Sequence, residues 1–368
     1  VLVEVGGLLN GRFSPASCAL AGGMAACGTT IGVGAGSVAE LVVRDAGSKA
    51  EFFGYFNVGQ AGVVTAATGG TDFGTAGGIT TTSIHIANGG MLRTDRATVG
   101  YGPSGPAATG TERSFSTIAI SGPGSVWGIA GGTLDTQTSS LSTAVHANAT
   151  VNLNVSGGGR IDLSPVANTS HFINLSNGAG KTDMLVTGSG SAVNLNAGIL
   201  QVGRGLNGTA RLDVTAGGVI NDAFYFVTGR GGSNGRTVVD GTGSRITVNR
   251  SGVPGSADAA FTGSFEIGRD GGIGQVDITN GGRVEVLSGL AATERARAAT
   301  LGTSAASQGT LNISGADSRF VMNVVSAVAV GGPTEAFNPY FAVGQRGVGY
   351  LNLSAGTKVL LNGGAVST

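Results

Sequence analysis

Charged side chains are scarce in this sequence, 21 basic and 21 acidic among 368 residues, and their formal sum is zero. The basic residues, 18 of them Arg, form no run. That removes the electrostatic footprint by which nucleic acid or an anionic membrane surface is bound, and no nucleic-acid partner is expected. Apolar runs are short too. None approaches the roughly 20 residues that cross a bilayer as a helix, so no direct membrane span is expected in this chain. The sequence opens at Val1 with neither a Met nor a charged-then-apolar segment, and a mature or trimmed product is expected. Proline is down to 8 residues, while glycine reaches 69 with aliphatic residues still plentiful. Such a chain is neither collagen nor a charged disordered tail. It is a glycine-turned chain with an apolar core.

Cysteine is almost absent. Cys18 and Cys27 stand nine positions apart near the N-terminus, with none later. This usage suits an oxidising, extracellular setting and a short-loop disulfide between Cys18 and Cys27; a free buried pair is the alternative. Neither lies at metal-ligand spacing from a His.

What the sequence does have is repetition. Length alone suggests two or three domains, but a repeat body runs this long as one unit. Two turn signatures alternate five times. The first is Asp45-Ala46-Gly47-Ser48, Gly122-Pro123-Gly124-Ser125, Gly188-Ser189-Gly190-Ser191, Gly241-Thr242-Gly243-Ser244 and Gly315-Ala316-Asp317-Ser318. The second is Asn88-Gly89-Gly90, Gly157-Gly158-Gly159, Ala216-Gly217-Gly218, Asn280-Gly281-Gly282 and Ala355-Gly356-Thr357. Spacing between successive turns runs from 26 residues (Gly218 to Ser244) to 42 (Ser48 to Gly90), so the turn is fixed while other connections vary.

Before each turn one strand position holds Val43, Ile86, Ile120, Val155, Val186, Val214, Val239, Ile278, Ile313 and Leu353. Two residues earlier the series is apolar again, broken only by Thr237, as expected when one strand face is buried. After the turn a second strand carries Ala50, Leu92, Trp127, Ile161, Val193, Ile220, Ile246, Val284, Phe320 and Val359. A third often ends in an apolar residue plus glycine, as in Val58-Gly59, Val202-Gly203 and Ile267-Gly268. Three strands make a triangular rung. The expectation is an all-β parallel β-helix of ten to eleven rungs, with aliphatic ladders stacked along its axis. Residues 1–37 are expected to form the N-terminal first rung or cap with the Cys pair, and 38–368 five double repeats (38–117, 118–183, 184–236, 237–309, 310–368). The longest insertions, about residues 60–82, 102–116, 128–149, 250–263, 287–297 and 323–340, fall before or after the third strand. The clearest helix candidate is Ala291 to Ala299.

The alternation of a strand ending in Gly-x-Gly-Ser with one ending in Asn-Gly-Gly, each followed by a Val-Gly strand, resembles the repeats of type V secretion autotransporter passengers and related PEP-CTERM surface proteins. Five tandem pairs cover almost the whole chain. The resemblance implies a right-handed β-helical stalk, export to a bacterial cell surface in an extracellular location, and adhesive or structural work. The implied partners are cell-surface or matrix glycans and proteins. The full-length pattern also has a C-terminal membrane barrel, a signal and a sorting tail, and none of these is expected within the 368 residues.

Catalytic signatures dissolve into the repeat. A polysaccharide-degrading β-helix needs converging carboxylates; Asp213 and Asp277 sit two rungs apart at outward positions also held by Asn154, Asn312 and Asn352, which reads as a solvated Asn/Asp ladder. Gly231-Gly232-Ser233-Asn234-Gly235 fits the nucleophile-elbow pattern without the strand-turn-helix context that gives it meaning. His85, His146 and His171 are scattered and read as surface residues. Gly271 to Asp277 is similar to a calcium-binding glycine repeat, but its Asp comes one residue late and the element is not tandem. Gly32 to Gly36 is the first rung's turn rather than a phosphate loop, having no following helix. No enzyme, cofactor or metal site is expected.

One feature stands above this background. The residue directly after the turn is basic at Lys49, Arg160, Arg245, Arg283, Arg319 and Lys358, in four consecutive rungs from Arg245 onward. Stacked like charges one strand apart disfavour folding unless paired or splayed into solvent. The ladder is either a solubilising edge or a site for a linear polyanion such as an acidic polysaccharide. For the whole chain the first expectation is an adhesive stalk. The alternative is a subunit of an extracellular filament assembling end to end, suggested by the strand-turn pattern that continues through Leu360-Leu361-Asn362-Gly363-Gly364.

Overall fold

The computed structural model describes residues 1–11, 28–34, 36–60, 78–101, 113–130, 140–164, 171–249, 264–288, 299–324, 340–354, 356–362 and 365–367. Cys18, Cys27 and nearly all of the Ala291 to Ala299 segment lie outside these residues; Ala299 itself opens a strand. Among the described residues every regular element is a strand, and every strand pair is parallel.

The pre-turn strands form one face of eleven: Leu2–Val3, Val38–Arg44, Ile79–Ala87, Arg113–Ser121, Ala149–Ser156, Lys181–Thr187, Thr209–Thr215, Asn234–Asp240, Ile273–Thr279, Gln308–Ser314 and Val348–Leu353. We number the rungs 1 to 11 in that order. The remaining 18 strands connect as one sheet, because four of them, Lys49–Gln60, Met91–Val99, Ala192–Val202 and Val219–Arg230, run from the second face through a bend into the third. Each of those faces therefore also contains one segment per rung. The chain is an eleven-rung parallel β-helix with three faces, about 50 Å long at the usual strand separation.

The expected ladders are in register. Val43, Ile86, Ile120, Val155, Val186, Val214, Val239, Ile278 and Ile313 are Cα partners in succession and fully or almost fully buried, while Leu353 in rung 11 is exposed. Thr237, the break in the neighbouring series, is buried with its Oγ1 3.0 Å from the Oγ1 of Thr228. The post-turn series from Ala50 to Phe320 is also buried. On the third face Phe226 stacks on Phe265 at 5.4 Å, and Phe320 reaches from the second face to lie 5.5 Å from both Phe265 and Phe341. Ala299 sits between Phe265 and Phe341 in the third-face register, and its small side chain leaves that space. A single apolar cluster runs from Val3 to Phe341.

The two turn types have different work. In each turn of the first type the serine hydroxyl accepts the backbone N–H of a glycine in the preceding rung's turn: Ser48 from Gly6, Ser125 from Gly89, Ser191 from Gly158, Ser244 from Gly217 and Ser318 from Gly281, all at 3.0 Å. All five serines are buried. The glycine side of this bond needs a left-handed backbone; Gly217 has φ +86°. The first pair brings in Val5-Gly6-Gly7, a turn of the second type in rung 1, which extends the alternation to the start of the helix.

The third-face corner explains the apolar-glycine ending. Gly268 has φ +72°, and a Cβ there would stand 2.1 Å from the carbonyl oxygen of Gln308 in the next-but-one rung's first strand. A side chain would push the stacked backbones apart. Connections that interrupt the strands fall between second and third strands or after the third, as in residues 131–139, 250–263 and 102–112. The serine-glycine corner takes none.

Candidate functional site

The six basic post-turn residues occupy one column of the second face. Its register reads Leu8, Lys49, Met91, Val126, Arg160, Ala192, Val219, Arg245, Arg283, Arg319, Lys358. Lys49 and Arg160 are thus isolated cations flanked by apolar neighbours, whereas Arg245, Arg283, Arg319 and Lys358 are direct neighbours in rungs 8 to 11.

Their electrostatic settings differ as well. Lys49 lies 2.6 Å from Glu51, and Arg160 2.8 Å from Asp162, each two residues on along the same strand face. The first face repeats this arrangement with Lys181 and Asp183 at 2.7 Å and with Arg211 and Asp213 at 2.8 Å. In the four-cation column only Arg283 keeps it, paired with Glu285. The equivalent positions beside Arg245, Arg319 and Lys358 are Thr247, Val321 and Leu360, and none of these three cations has an ion pair among the described residues. The Nε–H groups of Arg283 and Arg319 are buried without an acceptor among the described residues. Arg245, Arg283 and Arg319 line an open depression of about 320 Å³, floored by the turn backbone at Gly243 and Gly281 and rimmed by Asp317.

The other sequence candidates are engaged elsewhere. Asp213 and Asp277 are separated in their column by Val238. Asp277 accepts hydrogen bonds from Arg236 at 2.9 Å, from Gln275 and from Asn312 at 2.7 Å, and Asn352 donates in turn to Asn312 at 2.8 Å. This is an amide ladder capped by a carboxylate, and it takes up the Gly271 to Asp277 segment. The Ser233 hydroxyl accepts from the Arg230 N–H and donates to the Arg230 carbonyl, closing a corner turn ahead of strand Asn234–Asp240. His85 is half-buried, 3.6 Å from Glu40. His146 Nδ1 accepts the Asn148 N–H at a corner. His171 departs from the surface expectation: it is buried, with Nε2 2.9 Å from the Asn196 carbonyl, because it lies at the bend where rung 5 packs on rung 6.

A second polar cluster had no sequence signature. On the outside of the third face the Tyr225 hydroxyl donates to Glu266 at 2.8 Å, Arg269 donates to both, and the Ser264 hydroxyl donates to the other Glu266 oxygen. Tyr225 packs with Ile199 and Val227 in a small apolar cluster outside the main core. Burial, with Glu266 adding to it, pushes the phenol well above its ordinary range, so it stays a neutral donor. The four residues satisfy one another and leave no nucleophile free of its neighbours.

Neither the known protein families nor the curated proteins contain a match to this sequence. Among solved structures, one described as the crystal structure of a TibC-catalyzed hyper-glycosylated TibA55-350 fragment aligns over 98% of this chain and 97% of that one, at 14% identity and a TM-score of 0.25. At that score the likeness carries no argument about family or function, and the β-helix is established by the strand pairings of this chain.

Proposed function

We propose that the chain is an exported, cell-surface stalk that projects binding surfaces for adhesion to cell-surface or matrix glycans and proteins. One observation carries this reading: the apolar cluster runs through the rungs without a break, while the interruptions vary freely in length at two corners and never at the serine-glycine corner. A scaffold of that kind keeps its axis while surface segments diverge, which is how recognition is usually distributed on rigid frames. The repeat resemblance to autotransporter passengers points the same way. Among the described residues no helix is long and apolar enough to cross a membrane, and the reading requires none in this segment.

The test compares the full chain with a variant in which residues 102–112, 250–263 and 325–339 are replaced by short Gly-Ser connectors. Particle imaging should show rods of the same length for both, and beads coated with the variant should lose adhesion to glycan- or matrix-coated surfaces. Equal adhesion by the trimmed variant would overturn the assignment of adhesion to the loops. Release of reducing ends from acidic polysaccharides by the full chain would replace the stalk with an enzyme.

A further inference from the structure

The repeat contains its own device for neutralising an outward cation, and three of rungs 8 to 11 have abandoned it. At Lys49, Arg160, Lys181 and Arg211 the device is a carboxylate two residues along the same strand face. In the four-cation column that position becomes Thr247, Val321 and Leu360 in three rungs, yet the cation is retained in all four. Like charges directly opposite one another on neighbouring strands destabilise a sheet. Their retention with a paired carboxylate in only one rung of the four, together with the depression that Arg245, Arg283 and Arg319 line, is the arrangement of a site that receives its anion from outside.

We propose that Arg245, Arg283, Arg319 and Lys358 bind a linear acidic polysaccharide laid parallel to the helix axis, with one acidic group seated in the depression over Gly281. The column is straight and its charges repeat at the strand separation, about 4.8 Å, which is on the scale of one sugar of an extended glycan. A guanidinium presents a planar fork to a carboxylate or sulfate. Single-stranded nucleic acid fits less well, because its binding grooves combine charge with exposed aromatic platforms. The only aromatic residue of these four strands, Phe320, is buried in the core. The proposal deepens the stalk reading by naming a ligand class, and it uses strand residues rather than the inserted segments, so either can fail alone.

The experiment measures binding of the full chain to polygalacturonate, a sulfated glucan, neutral dextran and poly(dT) over a range of salt concentration. Polygalacturonate or the sulfated glucan should bind and dextran should not, with an affinity that falls steeply as salt rises. The double variant Arg245→Ser, Arg319→Ser should lose at least tenfold in affinity with a shallower salt slope. Its melting temperature should hold or rise, since repulsion is relieved, and that excludes unfolding as the cause. The control double variant Lys49→Ser, Lys181→Ser, which removes two isolated, carboxylate-paired cations, should bind like the parent. Absence of binding to both acidic glycans, or an equal loss in the control, overturns the site. Tighter binding of poly(dT) than of either glycan overturns the choice of polysaccharide.

Discussion

Replacing Ser244 by alanine removes two hydrogen bonds from one corner and tests how the rungs are joined. Its hydroxyl accepts the Gly217 N–H at 3.0 Å and donates to the Asp240 carbonyl at 2.6 Å. Ser244 is 1% exposed, so no water replaces its oxygen without displacing the corner, whereas Gly217 is half-buried and recovers part of its solvation. The cost therefore belongs in the lower part of the range for an orphaned donor, about 1–2 kcal/mol. In a stack where each rung touches only its neighbours, the loss should fall on the junction of rungs 7 and 8. Amide hydrogen exchange reads this directly: protection at Gly217 and in the flanking strands should drop about tenfold for about 1.4 kcal/mol, with rungs 2 and 3 unchanged. Ser189→Ala, at an exposed turn position, should leave exchange and urea midpoint as they are. Unchanged protection at Gly217, or a loss spread evenly through all rungs, would refute the idea that these serines staple adjacent turns.

Gly268→Ala should cost about 3 kcal/mol or more in urea denaturation, combining a left-handed backbone with an overpacked contact. The added Cβ meets the Gln308 carbonyl oxygen, which cannot swing aside. Gly36→Ala, where φ is +79° and the space is open, should cost only about 1–2 kcal/mol, and equal effects would remove close packing as the reason for the corner glycine. Asp95 gives a pH signature. Burial raises its pKa above the ordinary 3.8, against the opposing Gly54 N–H and Arg93. A carboxyl raised in the folded state contributes stability that is complete below its unfolded pKa and lost as pH rises through the folded value. Melting temperature should therefore gain from this site as pH falls from neutral toward 4, and Asp95→Asn should raise the neutral-pH value and flatten that dependence. Tyr225→Phe should lower stability by about 1–3 kcal/mol by taking a partner from both Glu266 and Arg269, measured by urea unfolding.

The rung, its three strands and its buried columns were legible because they rest on local period-two patterning and on turns with fixed glycine offsets. Val43 to Ile313 could be aligned without knowing any contact. The basic column was legible for the same reason, since a residue one step after a turn has a fixed address. What stayed hidden depends on register between rungs. Ser48, Ser125, Ser191, Ser244 and Ser318 were visible as repeat letters, but a hydroxyl bonding a glycine 27 to 42 residues earlier leaves no local trace. Val5-Gly6-Gly7 escaped because its strand, Leu2–Val3, is too short to show alternation. The Tyr225, Glu266 and Arg269 cluster was hidden because its members fall in two rungs, and their register partners, Ile199 for Tyr225, Val227 and Thr300 for Glu266 and Arg230 for Arg269, repeat no common residue type. His171 read as a surface residue because the bend that buries it is formed by the neighbouring rung.

The staples also explain why the repeat is double. Each bond runs from a turn of the first type back to the turn of the second type before it, joining rungs 1 and 2, 3 and 4, 5 and 6, 7 and 8, and 9 and 10. The opposite junctions have no such bond among the described residues. A chain that alternates stapled and unstapled corners needs two turn sequences and has no use for a third, which is the alternation seen. The cation column sits on this frame. Ser318 binds Gly281, so the backbone beneath the depression is fixed from rung 10 to rung 9, where Arg283 and Arg319 face each other. Repulsion between those side chains is opposed by the corner bond as well as by the single ion pair of Arg283 with Glu285. The guanidinium groups can thus remain adjacent, with only Glu285 and Asp317 nearby, and the cost of holding them together is carried by the fold before any ligand arrives.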